Sequence, residues 1–354
     1  MKRVYVCHTY YHAYIAVVKE LNLGKEHFKE ATLILSTMSN DFGMLAKRIE
    51  ETGVFLDVLM FDEKADVTSE DVMKFHSDKG NLVSNLFQRI KYTKALGKLQ
   101  EPFVPVDFSQ YDDVYVFCDS DPIGYYLSYK KIRYHAIEDG LNTCLLCDQA
   151  LISNKGAFGL KKFMASLGLI FIENGYSKYC IDYEVNDIKA NPHPPKNIVE
   201  ENRNDMFARL SDEDKNIIVS MFIENADELI RQLHERETSK PCIMILTEPL
   251  CELEVRKKLF GDIIDTYKER GTVIIKPHPR DVVDYEKEFP DTIVIKGKFP
   301  MEVMNNIPGL RVNTLVSVIT QIDSITFTDE KVYLGFDFLD KYEAPEIHRE
   351  NESL

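Results

Sequence analysis

Short β-rich runs alternate with helical patterns along this chain, and the alternation limits the fold more than any other feature. The runs that we predict as strands are residues 3–8, 31–36, 54–61, 113–118 and 132–137, then 242–247, 272–276 and 292–296. Helical patterns such as residues 11–21 and 254–270 separate many of them. Because parallel strands need a crossover, usually a helix, this order indicates βαβ units around parallel sheets. We therefore predict an α/β fold with doubly wound sheets.

A proline-rich interruption divides the chain into two parts. Its 354 residues are more than one domain usually contains. Pro192, Pro194 and Pro195 fall in a polar stretch where neither a helix nor an inner strand can continue. We predict an N-terminal domain at residues 1–190, a linker at 191–205 and a C-terminal domain at 206–354, with a tail at 330–354 that can pack back on the N-terminal domain.

Charge and cysteine content exclude several classes of protein. The formal net charge of −15 opposes non-specific binding to nucleic acid. The apolar run at residues 4–7 is too short for a secretory signal, and no run reaches the length of a membrane span. The seven cysteines are odd in number and scattered, so we expect reduced thiols in the cytoplasm. Cys144 and Cys147 form a C-x-x-C pair, but no second ligand pair accompanies them, and we predict no metal site.

Two adjacent carboxylates follow the strand predicted at residues 132–137. Ligands of doubly wound domains bind beyond the carboxyl ends of the strands, where Glu138, Asp139 and Gly140 lie. Repulsion between the two acids can raise the pKa of one and make it a catalytic base. An ordinary acidic turn explains the same residues equally well. Asp121 stands just before a proline, where capping a helix is the simpler role.

A histidine between two prolines follows the strand predicted at residues 272–276. Lys276, His278, Pro279 and Arg280 combine a stiff loop with two cations. The prolines reduce the entropy cost of aiming the imidazole, and the cations favour an anionic phosphate. His278 can stabilise or protonate a leaving phosphate oxygen. His193 stands in the same dipeptide but follows no strand, so we assign it no function.

Hydroxyl side chains form a third candidate group. Thr314, Ser317 and Thr320 precede a predicted helix, whose amino terminus can bind a phosphate. Glu302 can accept hydrogen bonds from ribose hydroxyls, although a first-turn carboxylate after a proline is the simpler explanation. No glycine-rich dinucleotide motif or P-loop is present.

Taken together, these motifs resemble glycosyltransferase family 52, the bacterial sialyltransferases of lipooligosaccharide and capsule. The family's acidic-acidic-Gly motif matches Glu138-Asp139-Gly140, its His-Pro motif matches His278-Pro279, and its Ser/Thr motif matches best at Ser317. The segments 246–252 and 276–290 also resemble family stretches. The opening Val6-Cys7-His8-Thr9-Tyr10-Tyr11 resembles the family's first strand and acceptor-side loop, which makes Thr9, Tyr10 and Tyr11 acceptor-side candidates.

This resemblance implies a GT-B fold, with two Rossmann-like domains facing a central cleft. It implies that the C-terminal domain holds most of the CMP of a CMP-sialic acid donor, without a catalytic metal or another cofactor. His278 would then contact the donor phosphate, Glu302 the ribose, and Ser317 the phosphate or the cytidine. A carboxylate would take the proton of the attacking acceptor hydroxyl, with inversion at the anomeric carbon.

One departure from the family pattern leaves the base open. Family members often have an acidic pair and a glycine after the Thr-x-Pro-Leu segment, whereas this chain has Cys251-Glu252-Leu253-Glu254. The base is therefore Asp139, Glu252 or Glu254. The donor is also open, since the family includes transferases of other sugars. A UDP-sugar or CDP-glycerol donor, or a non-catalytic nucleotide-sugar-binding protein, are the alternatives.

The expected partners are a nucleotide-sugar donor and a galactose-containing glycan acceptor. We expect no nucleic acid and no integral membrane segment. A lipid-linked acceptor would bring peripheral membrane contact, and homo-oligomers are compatible with the sequence. The acceptor, the linkage and the oligomeric state stay open.

Overall fold

The computed structural model consists of two compact units, residues 1–210 and 211–354. Each unit contains one sheet, and neighbouring strands in both sheets are parallel. The structure describes residues 1–140, 149–154, 156–191, 193–235 and 240–344.

The first unit is built on a seven-stranded sheet in the order β3-β2-β1-β4-β5-β6-β7. Its strands are β1 (Arg3–Cys7), β2 (Ala31–Ser36), β3 (Asp57–Phe61), β4 (Asp113–Phe117), β5 (Tyr134–Ile137), β6 (Cys180–Val185) and β7 (Ile198–Glu200). Its helices are α1 (Tyr10–Leu23), α2 (Leu45–Thr52), α3 (Glu70–Met73), α4 (Leu82–Leu99), α5 (Pro122–Lys130), α6 (Gln149–Ser153), α7 (Phe158–Ser166) and α8 (Arg203–Ala208). The strand order reverses between β1 and β4, as in doubly wound folds.

Sequence and backbone geometry explain how the first unit packs. Every residue of β1 and β2 is buried, as expected of strands covered on both faces. Gly124 brings α5 close to the loop after β4, because a Cβ at this position would lie 2.0 Å from the Asp119 carbonyl oxygen. Only glycine permits this approach, which sets the position of the amino end of α5 beside the sheet.

The second unit has a five-stranded sheet in the order β10-β9-β8-β11-β12. Its strands are β8 (Cys242–Leu246), β9 (Thr272–Lys276), β10 (Ile293–Val294), β11 (Val312–Ser317) and β12 (Thr328–Tyr333). Its helices are α9 (Asp212–Phe222), α10 (Ala226–Glu235), α11 (Leu253–Lys268), α12 (Tyr285–Glu288) and α13 (Phe336–Leu339). The apolar stripe of α11 packs on β8 and β9. The strand order reverses between β8 and β11.

The chain leaves the first unit later than the prolines indicate. Residues 198–200 of the predicted linker form β7, which pairs with β6, and Asn202 caps α8. The prolines come before this edge strand and so do not prevent it. The boundary lies at Ser211, whose side chain forms a capping box with Asp214 at the start of α9.

The predicted tail contributes to the second unit itself. Residues 328–333 form β12 along β11, and Leu339 of α13 is fully buried in the core of this unit. These residues are therefore part of the C-terminal sheet and core, within the predicted C-terminal domain, and packing of the tail on the other domain stays a prediction. Residues 345–354 lie outside the described part of the chain.

A buried ion pair supports the first sheet at the start of β1. The guanidinium of Arg3 donates to both carboxylate oxygens of Glu20 on α1, at 2.8 and 3.0 Å. The hydroxyl of Tyr5 donates to the same carboxylate at 2.7 Å. Glu20 is completely buried, so its charge depends on these donors.

We expect Glu20→Ala to lower the free energy of unfolding by about 3–5 kcal/mol, because it removes the fully buried partner of Arg3 and leaves only the partly exposed Glu30, at 3.2 Å. Urea denaturation measures the change. Glu51→Ala is the matched control, since Glu51 pairs with Lys47 at 3.7 Å on the surface, and its effect should stay below about 1 kcal/mol. Equal effects of the two substitutions would contradict the assigned role of Glu20.

Candidate active site

The points where strand order reverses show where each sheet can bind a ligand. In doubly wound sheets, ligands bind beyond the carboxyl ends of the two strands at this switch point. In the first unit these strands are β1 and β4, and in the second they are β8 and β11. The polar residues that follow these four strands, and those next to them, are the candidate functional residues of each unit.

Asp139 forms a hydrogen-bonded pair with a histidine at the carboxyl edge of the first sheet. Its Oδ1 atom lies 2.7 Å from Nε2 of His12, near the start of α1. The carboxylate is about half exposed, with 51% of its side chain accessible, whereas His12 is completely buried. Asp139 can therefore meet a solute while the imidazole behind it is protected from solvent.

The other contacts of His12 determine its protonation state. The N–H of His8 donates to Nδ1 of His12 at 3.1 Å, so Nδ1 is an acceptor. Burial lowers the pKa of His12 and outweighs the opposing effect of Asp139. The ring is therefore neutral, and its remaining proton on Nε2 is donated to Asp139. Stacking on Phe117, with centroids 4.8 Å apart, fixes the plane of the ring. This is the arrangement of a carboxylate oriented by a third group.

His8 carries a positive charge beneath this pair. Its Nε2 lies 2.7 Å from the Glu63 carboxylate and its Nδ1 lies 3.1 Å from the Phe117 carbonyl. Burial lowers the pKa of His8, but Glu63 and Asp121 together outweigh it and raise the value to about 9. The imidazolium thus donates from both nitrogens and holds the end of β1 against the end of β4.

Glu138 does not share a site with Asp139. It is 2% exposed, accepts the N–H of Asn186 at 2.8 Å and lies 3.8 Å from the Arg203 guanidinium. Successive side chains at a strand end point to opposite faces, which separates the two carboxylates. The predicted repulsion between the carboxylates of Glu138 and Asp139 therefore does not explain how Asp139 could act as a base. The contacts of Glu138 are structural.

The acceptor-side candidates have three different environments. Thr9 caps α1 by accepting the N–H of His12 at 3.1 Å. Tyr10 is 5% exposed and packs against Phe42, with ring centroids 5.2 Å apart, so it is part of the core. Tyr11 is half-buried. Of the three, Thr9 and Tyr11 are the ones accessible enough to contact an acceptor.

Buried polar contacts join the loops after β8 and β9 in the second unit. The carboxylate of Asp281 accepts from the Thr247 hydroxyl at 2.9 Å, Arg256 at 2.9 Å and the Tyr285 hydroxyl at 2.8 Å. Thr247 in turn accepts the N–H of His278 at 3.2 Å. These contacts hold the His-Pro loop in one conformation, as the flanking prolines predict.

The ring of His278 is a neutral donor. The N–H of Arg280 donates to its Nδ1 at 3.1 Å, so the proton of the neutral ring is on Nε2. Within the described part of the chain, this Nε2 has no hydrogen-bond partner. Burial, together with the charges of Arg280 and Lys276, lowers the pKa to about 4. A neutral N–H without a hydrogen-bond partner among these residues suits an incoming phosphate oxygen.

Lys276 lies inside the unit instead of facing a ligand. It is 3% exposed, and its Nζ donates to the Pro277 carbonyl at 2.9 Å and sits 4.1 Å from the centroid of the Phe299 ring. Burial lowers its pKa to about 7, against the effect of Glu302. Arg280 is exposed. The two cations of the motif thus differ, and Arg280 is the one at the surface.

Glu302 lies in a short 3-10 helix, Met301–Asn306, after Pro300. Burial raises the pKa of this carboxylate, and the hydroxyl of Ser324 lies 3.4 Å from it. Pro279 of the His-Pro motif is half-buried. Glu302 and Lys276 interact electrostatically, so the predicted ribose ligand and the buried lysine belong to one group of residues.

The hydroxyl motif is a strand and not the approach to a helix. Residues 312–317 form β11, and a loop connects it to β12. β-branched residues such as Val312, Thr314 and Val316 favour this conformation. Thr314 lies within the strand, where its hydroxyl donates to Glu330 of β12 at 2.9 Å. Thr314 is therefore placed away from the strand's carboxyl end.

Glu248 binds the loop that follows β11. Its carboxylate accepts the N–H groups of Ile319 and Thr320, at 3.0 and 2.7 Å. The buried hydroxyl of Ser317 lies 2.7 Å from the Thr320 carbonyl and 3.1 Å from Glu248. The backbone donors that would suit a phosphate at this switch point are thus occupied by the protein's own carboxylate.

The two alternative bases lie at the start of α11. Glu252 is the exposed residue before the helix and makes no side-chain capping bond. Glu254 is exposed and pairs with Lys257 at 2.8 Å. Cys251, just before them, has a left-handed backbone with φ of 59°, and its carbonyl accepts from Arg256 at 3.0 Å. Neither glutamate has a buried partner comparable to His12.

The described residues contain neither a metal-binding cluster nor a membrane-spanning helix. No group of three or more His, Cys, Asp or Glu side chains in the described ranges could hold a metal ion. Cys144 and Cys147 lie outside these ranges. No helix among the described residues combines the length and the apolar character that crossing a membrane requires.

The sequence analysis did not predict His12, Glu63 or Glu248 as part of the candidate sites. His12 stands four residues after His8, behind the first strand, and this spacing is the signal that could have found it. Glu63 comes two residues after β3 and accepts from His8, the Ser36 hydroxyl and the N–H of Ile123. Glu248 comes two residues after β8, which ends at Leu246.

Comparisons with known proteins agree on the fold. The structure is similar to an α/β-galactoside α-2,3-sialyltransferase from Photobacterium phosphoreum, with a TM-score of 0.52, 13% identity and coverage of 94% of this chain and 89% of that one. It is also similar to a sialyltransferase from Photobacterium damsela, with a TM-score of 0.52, 12% identity and coverage of 94% and 73%. At these identities the likeness shows the fold, and the predicted α/β class of GT-B type is confirmed.

Sequence comparison identifies the family. An uncharacterized protein of Haemophilus influenzae is 35% identical over 81 residues, so the match spans 21% of this chain and only 26% of that relative. The sequence model of glycosyltransferase family 52 matches residues 55–334, about four fifths of the chain. This chain therefore belongs to glycosyltransferase family 52.

Proposed function

We propose that this protein is an inverting, metal-independent sialyltransferase. It moves sialic acid from CMP-sialic acid to a galactose-containing acceptor of a surface glycan, such as lipooligosaccharide or capsule. Membership of glycosyltransferase family 52 supports glycosyl transfer. The identity of the donor goes beyond what family membership supports. We base it on the side chains of the second unit.

One observation carries this proposal. His278 is held by its own loop as a neutral ring whose Nε2–H has no partner among the described residues. CMP leaves with an anionic phosphate oxygen, and a fixed N–H donor stabilises the charge that develops there. An anion nearby also raises the pKa of the ring, which moves it towards proton donation.

The proposed reaction is a single displacement at the anomeric carbon. The acceptor hydroxyl oxygen bonds to the anomeric carbon while the bond from that carbon to the CMP phosphate oxygen breaks. Asp139 takes the hydroxyl proton, with His12 holding the carboxylate in position. His278 and the exposed Arg280 bind the departing phosphate. Glu302 binds the ribose.

The remaining donor candidates fit less directly. Ser317 already has two oxygen partners, so contact with CMP requires it to exchange one of them. Thr320 can contact the nucleotide from the same loop, and Lys276 acts through its charge from within the unit. We leave Thr314 out of the proposed contacts because its hydroxyl is bound to Glu330.

We also place the reaction in the cytoplasm. The five described cysteines, Cys7, Cys118, Cys180, Cys242 and Cys251, are free thiols. Free thiols persist in reducing compartments.

We expect CMP and CMP-sialic acid to stabilise the protein against thermal unfolding, with and without EDTA. A ligand at 100 times its Kd adds about 2.7 kcal/mol to the free energy of unfolding. UDP-sugars and CDP-glycerol, tested at the same concentration, should have little effect. Stabilisation by one of these alone would identify a different donor. Loss of CMP binding on chelation would refute the metal-free reaction.

We expect His278→Ala to lower kcat by about 10²–10³, the cost of losing one oxyanion donor. Its thermal stability should change little, because the ring is only partly buried and its Nε2 has no hydrogen-bond partner among the described residues. His193→Ala is the matched control, since this exposed histidine also precedes a proline. Near wild-type turnover in the His278 variant would end the proposed role.

We expect Asp139→Asn to lower kcat by about 10²–10⁴ while CMP affinity is nearly preserved. Asparagine keeps the shape of the side chain and removes its basicity. Glu252→Gln and Glu254→Gln serve as parallel variants and should remain active. If Asp139→Asn is active and one glutamine variant is not, the base is in the second unit.

A further inference from the structure

The carboxylate of Glu248 is buried and held by three neutral donors. Its Oε1 atom accepts the Ser317 hydroxyl at 3.1 Å and the N–H of Thr320 at 2.7 Å, and its Oε2 atom accepts the N–H of Ile319 at 3.0 Å. The residue is 2% exposed, and no described Lys, Arg or His side chain forms an ion pair with it. Within the described residues, hydrogen-bond dipoles and not a counter-ion therefore stabilise this carboxylate.

The three donors form an anion-binding group at the edge of the second sheet. Ile319 and Thr320 supply successive backbone N–H groups, and the hydroxyl of Ser317 adds a third donor. Successive N–H groups that converge on one point form a concave site that binds phosphates and other anions. The group lies just beyond β11, at the switch point between β8 and β11 where doubly wound sheets bind ligands. We call these three donors the anion nest.

The anion nest is connected to the loop that carries His278. The hydroxyl oxygen of Thr247 accepts the N–H of His278 at 3.2 Å, and the next residue, Glu248, fills the nest. Consecutive Cα atoms are only about 3.8 Å apart, so one dipeptide holds both features at the carboxyl edge of the sheet. An anion in the nest would therefore lie beside the loop that presents the Nε2–H of His278.

We propose that Glu248 occupies the place of the donor's phosphate group and that the donor displaces it. This inference rests on the proposed function for the identity of the donor. Carboxylate and phosphate oxygens accept the same hydrogen bonds, and two anions at one set of donors repel each other, so the anion nest holds only one of them at a time. Glu248 keeps the backbone N–H groups paired while the donor is absent. It thereby lowers the apparent affinity for the donor, because only molecules with an open nest can bind it.

Inorganic phosphate tests the anion nest independently of the donor. Glu248→Ala empties the nest and leaves buried N–H groups unpaired, so we expect it to lower the Tm. Phosphate at millimolar concentration should then raise the Tm of Glu248→Ala by several degrees but leave the wild type unchanged, with sodium chloride of equal ionic strength as the reference. Leu259→Ala is the matched control, because it removes a fully buried core side chain of the same unit and leaves the nest filled. Adding Ser317→Ala to Glu248→Ala removes one of the three donors and should weaken phosphate binding about two- to tenfold.

CMP tests whether Glu248 competes with the donor. Glu248→Gln keeps the size of the side chain and one accepting oxygen, but its NH₂ group cannot accept from a backbone N–H. A binding-competent state that is populated at about 10% or less lowers the apparent affinity at least tenfold. We therefore expect Glu248→Gln to bind CMP about tenfold more tightly than the wild type, as measured by isothermal titration calorimetry. Thermal unfolding of the free variant shows whether its fold is retained.

Two results would overturn the proposal. The first is phosphate protection of Glu248→Ala no greater than that of the wild type or of Leu259→Ala, which would mean that the emptied nest does not bind an anion. The second is a CMP affinity of Glu248→Gln that equals or falls below that of the wild type, which would make Glu248 a brace for the loop after β11. If the wild type itself does not bind CMP, the proposed donor is wrong, and the phosphate measurement alone decides whether the nest binds an anion.

Discussion

The buried carboxylate of Asp281 is the group on which the candidate residues of the second unit depend. It has no exposed side-chain surface and binds Thr247, Arg256 and Tyr285. Through them it joins the loop after β8, the helix α11 and the helix α12. A buried charge is stable only when its donors stay in place, so these elements hold one another in position. His278 is presented by a loop that is fixed at both ends.

The first unit uses a buried carboxylate in the same way. Glu63 accepts from His8 after β1, Ser36 at the end of β2 and the N–H of Ile123 at the start of α5. It therefore ties three elements together at the carboxyl edge of the sheet. In both units, the residues proposed to do chemistry stand beside such an anchor and are not part of it. Asp139 is hydrogen-bonded to His12, and the backbone N–H of His278 donates to the Thr247 hydroxyl oxygen.

The local sequence pattern predicts the two sheets and the loops that carry the candidate residues. It does not predict which side chains from different strands come into contact. The alternation of strands and helices predicts both doubly wound sheets, and strand ends lead to Asp139 and His278. The contact between Asp139 and His12 joins positions 127 residues apart. It exists because the strand order brings β5 close to β1, which no local pattern records. The same reason hides the contact of Glu248 with the loop after β11.

Three predictions made from the sequence were wrong, and local features of the chain explain each of them. We predicted a helix directly after the hydroxyl residues, whereas residues 312–317 form β11, which their β-branched side chains favour, and a loop follows. The prolines at 194 and 195 end one element without ending the domain, because an edge strand of three residues follows them. Adjacency of Glu138 and Asp139 implies repulsion only if both face the same way, and they do not.

The backbone at Cys251 bears on the residue at which this chain departs from its family. Its left-handed conformation, with φ of 59°, is one that glycine adopts freely and that costs other residues roughly 1–2 kcal/mol. The turn is held here without a glycine, because Arg256 donates to the backbone carbonyl of Cys251, whatever the side chain. The contact that fixes this turn involves only main-chain atoms of residue 251, so a glycine here would relieve the backbone strain without losing the contact.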